Sequence, residues 1–212
     1  MMKEKIVALF VEGPTEIEFY SAVIKNIHDK MSAAFDCSFA WYDMHGIGNY
    51  KTTALRQFNA LKEKKPDVDI YAVLCIDTDV FEYSKKPPIN KSEVKKSLEN
   101  AGAKHVIFVE AKSSIEDWFL TDLEGVLSYL RLPKATKRPE GNGQLALKKL
   151  FKKANKLYVK GERTEGFIKK LNISKIAAAC CKALRPLCLL VGADCKKVCN
   201  KNKIKHGNGD EN

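Results

Sequence analysis

The chain of 212 residues is long enough for one α/β domain with an extension or for two small domains. Its composition, 45% hydrophobic and 30% charged, is that of a globular protein with enough aliphatic residues for a core. No apolar run approaches the roughly 18 residues needed to cross a membrane, and the apolar run near the amino terminus is shorter than that of a signal peptide. We therefore expect a cytoplasmic protein without a membrane segment.

The net charge of +11 is unevenly distributed along the chain. Residues 1–132 contain 17 Lys and Arg against 20 Asp and Glu, whereas residues 133–206 contain 20 against 4. Lysine-rich surfaces bind phosphate through release of counterions, so nucleic acid is the partner that such a segment would favour. A solvated lysine-rich surface without a partner explains the charge equally well.

The hydrophobic pattern predicts strands that alternate with helices. The unbroken apolar run at 6–11 is typical of a central strand buried on both faces. Thr15 and Glu18 have the spacing of a capping box, which predicts that the following helix begins at Glu16. Further strands are predicted at 35–44, 70–76 and 106–109, and further helices at 53–64, between Asn90 and Gly102, and at 113–130. The alternation predicts an α/β fold with a mostly parallel sheet and helices on both faces.

The composition of the sequence changes after Leu132. Residues 1–131 are predicted to form the α/β domain, and residues 132–195 a basic, mainly helical extension. Within the extension we expect a helix at 145–157 and a helix pair at 173–190, broken near Arg185 and Pro186. The polar segment 196–212 is predicted to be a disordered tail.

Acidic residues follow three of the predicted strands. They form three clusters: Glu12 with Glu16, Asp77 with Asp79, and Glu116 with Asp117. The carboxyl ends of neighbouring parallel strands meet at one edge of a sheet, so these clusters could converge there. Alternate residues of an extended chain point the same way, which would let Asp77 and Asp79 face one ion. Carboxylates without histidine suit Mg²⁺ or Mn²⁺.

Most of these acids also have a purely structural interpretation. Glu16 could stabilise the amino terminus of a helix. Ser113 and Glu116 have capping-box spacing, and aspartates such as Asp77 commonly end strands. Glu12 is the hardest to explain in this way, because it directly follows a buried strand and has no obvious partner.

The order and spacing of the acidic motifs resemble those of the Toprim domain. The resemblance rests on Val11-Glu12-Gly13-Pro14-Thr15-Glu16 and on Asp77-Thr78-Asp79 at the end of an apolar strand. The Glu-Gly-x-Thr-Glu form is most similar to the OLD-type and RloB-like nucleases, many of which act in bacterial anti-phage defence. The segment 115–120 is similar to an acidic Ile-Glu-x-Trp segment in small proteins of that branch.

The resemblance, which covers roughly residues 5–125, implies a Rossmann-like catalytic domain and a Mg²⁺-dependent nuclease that hydrolyses phosphodiester bonds of DNA or RNA. It implies Glu12 as a metal ligand or general acid/base, Asp77 and Asp79 as catalytic Mg²⁺ ligands, and Glu116 as an additional ligand. Further candidates are Glu16, Asp117 and Lys112, the last because it is the cation nearest in sequence to a predicted site acid. No Walker motif occurs, so any ATP-driven regulation would need a partner chain such as an ATPase.

Two other functions fit the sequence. A non-catalytic protein on the same scaffold could bind nucleic acid or regulate a partner through its basic segment. Alternatively, the chain could transfer phosphoryl groups on a small substrate, with His45 or the loop Gly46-Ile47-Gly48 touching phosphate.

Overall fold

The computed structural model describes residues 4–31, 35–83, 85–160, 162 and 166–193; the predicted tail at 196–212 lies outside these residues. One sheet of four parallel strands, in the order β2-β1-β3-β4, forms its centre. The strands are β1 (Lys5–Val11), β2 (Ser38–Asp43), β3 (Asp69–Asp77) and β4 (His105–Ala111). The α/β prediction is confirmed, because helices flank this parallel sheet.

Ten α-helices are described. They are α1 (Pro14–His28), α2 (Leu55–Lys64), α3 (Asp79–Tyr83), α4 (Lys91–Asn100), α5 (Ile115–Phe119), α6 (Leu123–Leu130), α7 (Gly143–Lys153), α8 (Phe167–Lys170), α9 (Ile173–Ala179) and α10 (Cys181–Leu190). A π-helical turn, Tyr50–Ala54, leads into α2, and a 3₁₀ turn, Leu120–Asp122, joins α5 to α6. No helix in the described part of the chain is long and apolar enough to span a membrane.

Two hydrophobic cores lie on opposite faces of the sheet. Alternate residues of β1 divide between them, with Val7 and Leu9 in one core and Ala8 and Phe10 in the other. Both central strands are therefore buried on both faces, which explains their continuous apolar runs.

The larger core joins the sheet to the basic, helical part of the chain. Phe119 of α5, Phe151 of α7 and Phe167 of α8 meet edge to face, with ring centroids 5.6 Å (Phe119 to Phe167) and 5.7 Å (Phe151 to Phe167) apart. The helices of the predicted extension thus pack in one continuous core with α1 and one face of the sheet.

Several predicted helix ends differ from those observed. Helix α1 begins at Pro14, and its amino-terminal cap is Gly13 without a side-chain hydrogen bond, so the predicted capping box of Thr15 and Glu18 is wrong. The Thr15 hydroxyl instead donates to the backbone carbonyl of Glu162. The predicted cap at Asn90 is confirmed, since its side chain accepts from two backbone N–H groups of α4.

Two further expectations about helices are wrong. The predicted helix at 113–130 is two helices, and Ser114 precedes the first of them without capping it by its side chain, so Glu116 has no capping-box role. The break within 173–190 falls at Cys180, and Pro186 lies inside α10. Contacts between α10 and β4 hold this helix against the sheet despite the proline.

Candidate metal centre

Three carboxylates converge at the carboxyl edge of the two central strands. Glu12 follows β1, Glu16 lies in the first turn of α1, and Asp77 ends β3. One oxygen of each lies within 4.8 Å of one oxygen of both others. We call these residues the acidic triad. Two of the three predicted acidic clusters therefore meet, as the parallel pairing of β1 with β3 requires.

Backbone amides fix the positions of the triad side chains. The amide of Asp77 donates to Glu12 Oε1 at 3.1 Å, and the amide of Glu12 donates to Glu16 Oε2 at 2.9 Å. The amide of Ile115 donates to Asp77 Oδ1 at 2.9 Å. Each carboxylate is thus held by the backbone of another element or turn, and this limits its freedom to relax away from its neighbours.

A turn with a strained backbone places the Ile115 amide beside Asp77. Ser113 has a positive φ of 64°, a left-handed conformation that is uncommon for residues other than glycine. Its amide donates to Thr78 Oγ1 at 2.8 Å, and its carbonyl accepts from the amide of Asp79 at 2.9 Å. These two bonds tie the turn after β4 to the turn after β3, beside Asp77.

Lys160, in the segment that follows α7, is a cation beside the triad that sequence reasoning missed. Its Nζ lies 2.7 Å from Asp77 Oδ2 and 3.9 Å from Asp79 Oδ2. The predicted cation, Lys112, is exposed and forms no ion pair with a described residue. Nothing in the local sequence distinguishes Lys160 from the many other lysines, because its position depends on how the segment after α7 packs.

That segment is anchored by Tyr158. Its buried hydroxyl donates to Glu116 Oε1 at 2.9 Å, and its ring packs 5.1 Å from the ring of Phe151. Glu116 is fully buried, and its Oε2 has no hydrogen-bond partner among the described residues. A buried carboxylate oxygen without a hydrogen-bond donor costs free energy. A positive charge near the triad would therefore stabilise this atom as well.

The remaining predicted site residues lie around or away from the triad. Asp79 and Glu116 are not among the three mutually close carboxylates, although Asp79 shares Lys160 with Asp77. Asp117 is engaged elsewhere, since its Oδ1 accepts from Arg138 at 2.7 Å. His45 is exposed beside Asp43 at the end of β2.

Burial shifts the pKa values of the triad upward. It raises the pKa of Asp77 to about 7 against the opposing attraction of Lys160, and it raises the pKa of Glu12. The pKa of Glu16 is raised well above its usual range by burial and by the charges of Asp77 and Glu12. Burial alone would lower the pKa of Lys160, but Asp77 outweighs it and raises that pKa. The triad therefore resists ionisation unless more positive charge is supplied.

The acidic triad could hold a metal ion. It offers carboxylate oxygens only, and among the described residues a single lysine, Lys160, opposes the three charges together with those of Asp79 and Glu116. Glu12 is partly exposed, so an ion has access from solvent. Comparison with protein-family models, with curated proteins and with solved structures found no significant match.

Proposed function

We propose that this protein is a nuclease that requires Mg²⁺ or Mn²⁺ and hydrolyses phosphodiester bonds of DNA or RNA, on a Toprim-like scaffold. The observation that carries the proposal is the acidic triad, three carboxylates gathered where two central parallel strands end. Open α/β sheets bind their ligands at this edge. Anti-phage defence is the biological setting that the resemblance to OLD-type nucleases suggests.

The donor set favours a hard cation. Glu12, Glu16 and Asp77 present oxygen alone, and neither histidine nor cysteine belongs to the group. Asp79 and Glu116 lie close enough to influence the charge of Glu12. A bound Mg²⁺ would supply charge neutralisation and Lewis acidity toward a phosphate oxygen and a water molecule.

The chain's own groups have complementary roles in the proposed reaction. Glu12 Oε1 is occupied by the Asp77 amide, but no described residue donates to Oε2, so Oε2 can accept a proton from a water. Lys160 brings a positive charge to the same acids and, once released from Asp77, can bind a phosphate oxygen. Neither role needs a further domain.

The test is cleavage of mixed DNA and RNA by the purified protein with Mg²⁺, with Mn²⁺, or with a chelator. We expect cleavage only with a divalent ion. Asp77→Asn should slow it by more than about 100-fold, since even outer partners of metal ligands are worth about 10–100-fold. The matched control is Asp69→Asn at the opposite end of β3, where the carboxylate pairs with Lys104. Equal rates for wild type and Asp77→Asn would refute the proposal.

One observation favours a second candidate, a non-catalytic protein that binds nucleic acid or regulates a partner. Lys160 already contacts Asp77 at 2.7 Å, so the fold carries an internal countercharge. Calorimetric titration with Mn²⁺ separates the two candidates. Heat of binding that disappears in Asp77→Asn supports the nuclease, whereas no binding to wild type supports the second candidate.

A further inference from the structure

A cleft of about 850 Å³ lies where α6, α7 and α8 end. Its described lining includes four cationic residues and no acidic one. These residues are Arg131, Lys153, Lys156 and Lys170, and we call the feature the cationic cleft. Its volume is within the range of about 300–1,000 Å³ that is usual for ligand sites.

The four cations have no acidic partner among the described residues. All four residues are exposed, and within the described part of the chain one of their charged groups contacts another side chain: Lys156 Nζ lies 4.4 Å from the ring centre of Tyr129. Some lysines elsewhere on the surface form ion pairs, as Lys51 does with Glu93. The cationic cleft therefore concentrates positive charge without an acidic side chain in its described lining, whereas the acids Asp122 and Glu124 line an adjoining pocket that also includes Lys170.

Helix ends alone do not account for this charge. Lys153 and Lys170 are the last residues of α7 and α8, and Arg131 caps α6, where cations are favoured by the helix dipole. Each helix end carries about half a negative charge, so three ends balance only about 1.5 of the four positive charges. An excess of more than two charges remains for a ligand.

The backbone at the cleft satisfies its own carbonyls. The amide of Leu132 donates to the carbonyl of Leu127, and the amide of Lys156 donates to that of Phe151, so α6 and α7 end in closed turns. Arg131 adopts the left-handed conformation, φ 56°, which glycine usually supplies at such an end. The turn thus carries a large cation where a residue without a side chain would be less strained.

A short segment connects the cationic cleft to the acidic triad. Lys156 lies in the cleft, and Lys160, four residues later, contacts Asp77. Four residues span at most about 14 Å when fully extended. A nucleic-acid strand in a duplex rises 3.4 Å per nucleotide, so the backbone distance between Lys156 and Lys160 corresponds to at most about four nucleotides, and the two side chains add to this reach.

We propose that the cationic cleft binds the phosphate backbone of a nucleic acid a few nucleotides away from the bond that is cut. The inference rests on the proposed function, which supplies the ligand, a nucleic acid. What it adds is the path of the substrate strand along the protein. Cations without an acidic partner suit contacts with phosphate, and contacts of that kind are independent of sequence.

The experiment is fluorescence anisotropy of the full chain with a labelled oligonucleotide, DNA and RNA in turn, in excess chelator so that nothing is cut. The cleft variant is Lys153→Gln/Lys170→Gln. The control, Lys64→Gln/Lys65→Gln, makes the same charge change at exposed residues where α2 ends. We expect the cleft variant to bind on the order of tenfold more weakly and its dependence of log K on log salt to become shallower by about 1.8, as for two lost phosphate contacts in duplex DNA. The control should match wild type.

Three outcomes would overturn the inference: equal affinity and salt slope in the cleft variant and wild type, an equal loss in the control, or binding of inorganic tripolyphosphate but of no oligonucleotide. The last would assign the cleft to a small polyphosphate ligand. Since binding is measured without a divalent ion, a protein that binds through the cleft but never cleaves would refute the nuclease, and of the inference only the binding of nucleic acid by the cleft would stand.

Discussion

At the scale of single residues, Asp77 is the member of the triad that forms an ion pair with Lys160. Its carboxylate is 2% exposed, and the groups that favour its charged form are the Ile115 amide and the ammonium of Lys160. Removing one partner of a buried ion pair typically costs about 3–5 kcal/mol, because the other charge stays buried without compensation. Asp77 can lessen this cost by taking up a proton, since its pKa is already raised to about 7.

We therefore predict that Lys160→Met destabilises the metal-free protein by about 1–3 kcal/mol at neutral pH, less than a fully buried pair would lose. Added Mn²⁺ should restore more stability to this variant than to wild type, because an ion replaces the missing countercharge. Thermal unfolding with and without Mn²⁺ measures both effects. Lys104→Met, which breaks a surface pair with Asp69, should cost less than about 1 kcal/mol. A Lys160 variant as stable as wild type without metal would contradict the assigned role.

The bond between Tyr158 and Glu116 gives a second prediction. Burial raises the pKa of Tyr158, and the negative charge of Glu116 raises it further, so the hydroxyl stays protonated and donates. Tyr158→Phe leaves Glu116 buried without its donor and should cost about 1–3 kcal/mol in urea unfolding. Tyr42→Phe removes a hydroxyl that has no described partner and is the control. Adding Glu116→Gln should recover part of the loss, and additive losses would show that the two residues are not coupled.

At the scale of elements, the π-helical turn before α2 holds the two central strands together. The buried hydroxyl of Tyr50 donates to the carbonyl of Cys75 in β3 and lies 3.2 Å from that of Phe10 in β1. These carbonyls lie two residues before Asp77 and Glu12. Such turns within helices are often found near functional sites.

Tyr50→Phe should therefore affect stability and metal binding together. We expect a loss of about 0.5–1.5 kcal/mol from the missing hydrogen bond and a weaker affinity for Mn²⁺, because the strand ends that carry Glu12 and Asp77 lose a shared anchor. Calorimetric titration measures the affinity, with Tyr42→Phe as the control. A destabilised Tyr50 variant with unchanged Mn²⁺ affinity would mean that the anchor supports the fold alone.

The sequence predicted the elements better than it predicted the contacts between them. Glu12 and Asp77 were identifiable because each ends an unbroken apolar strand, and parallel pairing brings such ends together. From the sequence Glu16 is only a further candidate, because a first-turn acid has a sufficient local explanation in the helix dipole. Lys160 was unpredictable from local pattern, since Tyr158 and Glu116, remote in the chain, fix its segment through tertiary packing.

At the scale of the whole molecule, the triad makes folding stability depend on pH. A carboxyl group whose pKa is higher in the folded than in the unfolded protein stabilises the fold below its unfolded pKa and loses that contribution as the pH rises through its folded pKa. For Asp77 this window runs from the ordinary value of 3.8 to about 7. The raised pKa values of Glu12 and Glu16 act in the same direction.

We predict that the free energy of unfolding of the metal-free protein falls as the pH rises from about 4 to about 7. Mn²⁺ should oppose this loss increasingly as the pH rises, because it binds the ionised carboxylates. Urea midpoints across this range, with chelator or with Mn²⁺, provide the measurement. Asp77→Asn should flatten the metal-free curve, whereas Asp69→Asn should follow wild type. A midpoint that rises with pH in chelator would contradict the burial argument.

The late position of Lys160 in the chain has a consequence for folding during synthesis. Every acid around the triad, up to Glu116, leaves the ribosome before the lysine that balances them. At about 5–20 residues per second, translation from Glu116 to Lys160 takes roughly 2–9 seconds. During that interval the nascent sheet must gather its carboxylates in protonated form or around a cation from the cell, so the concentration of free divalent ions is expected to influence the yield of folded protein.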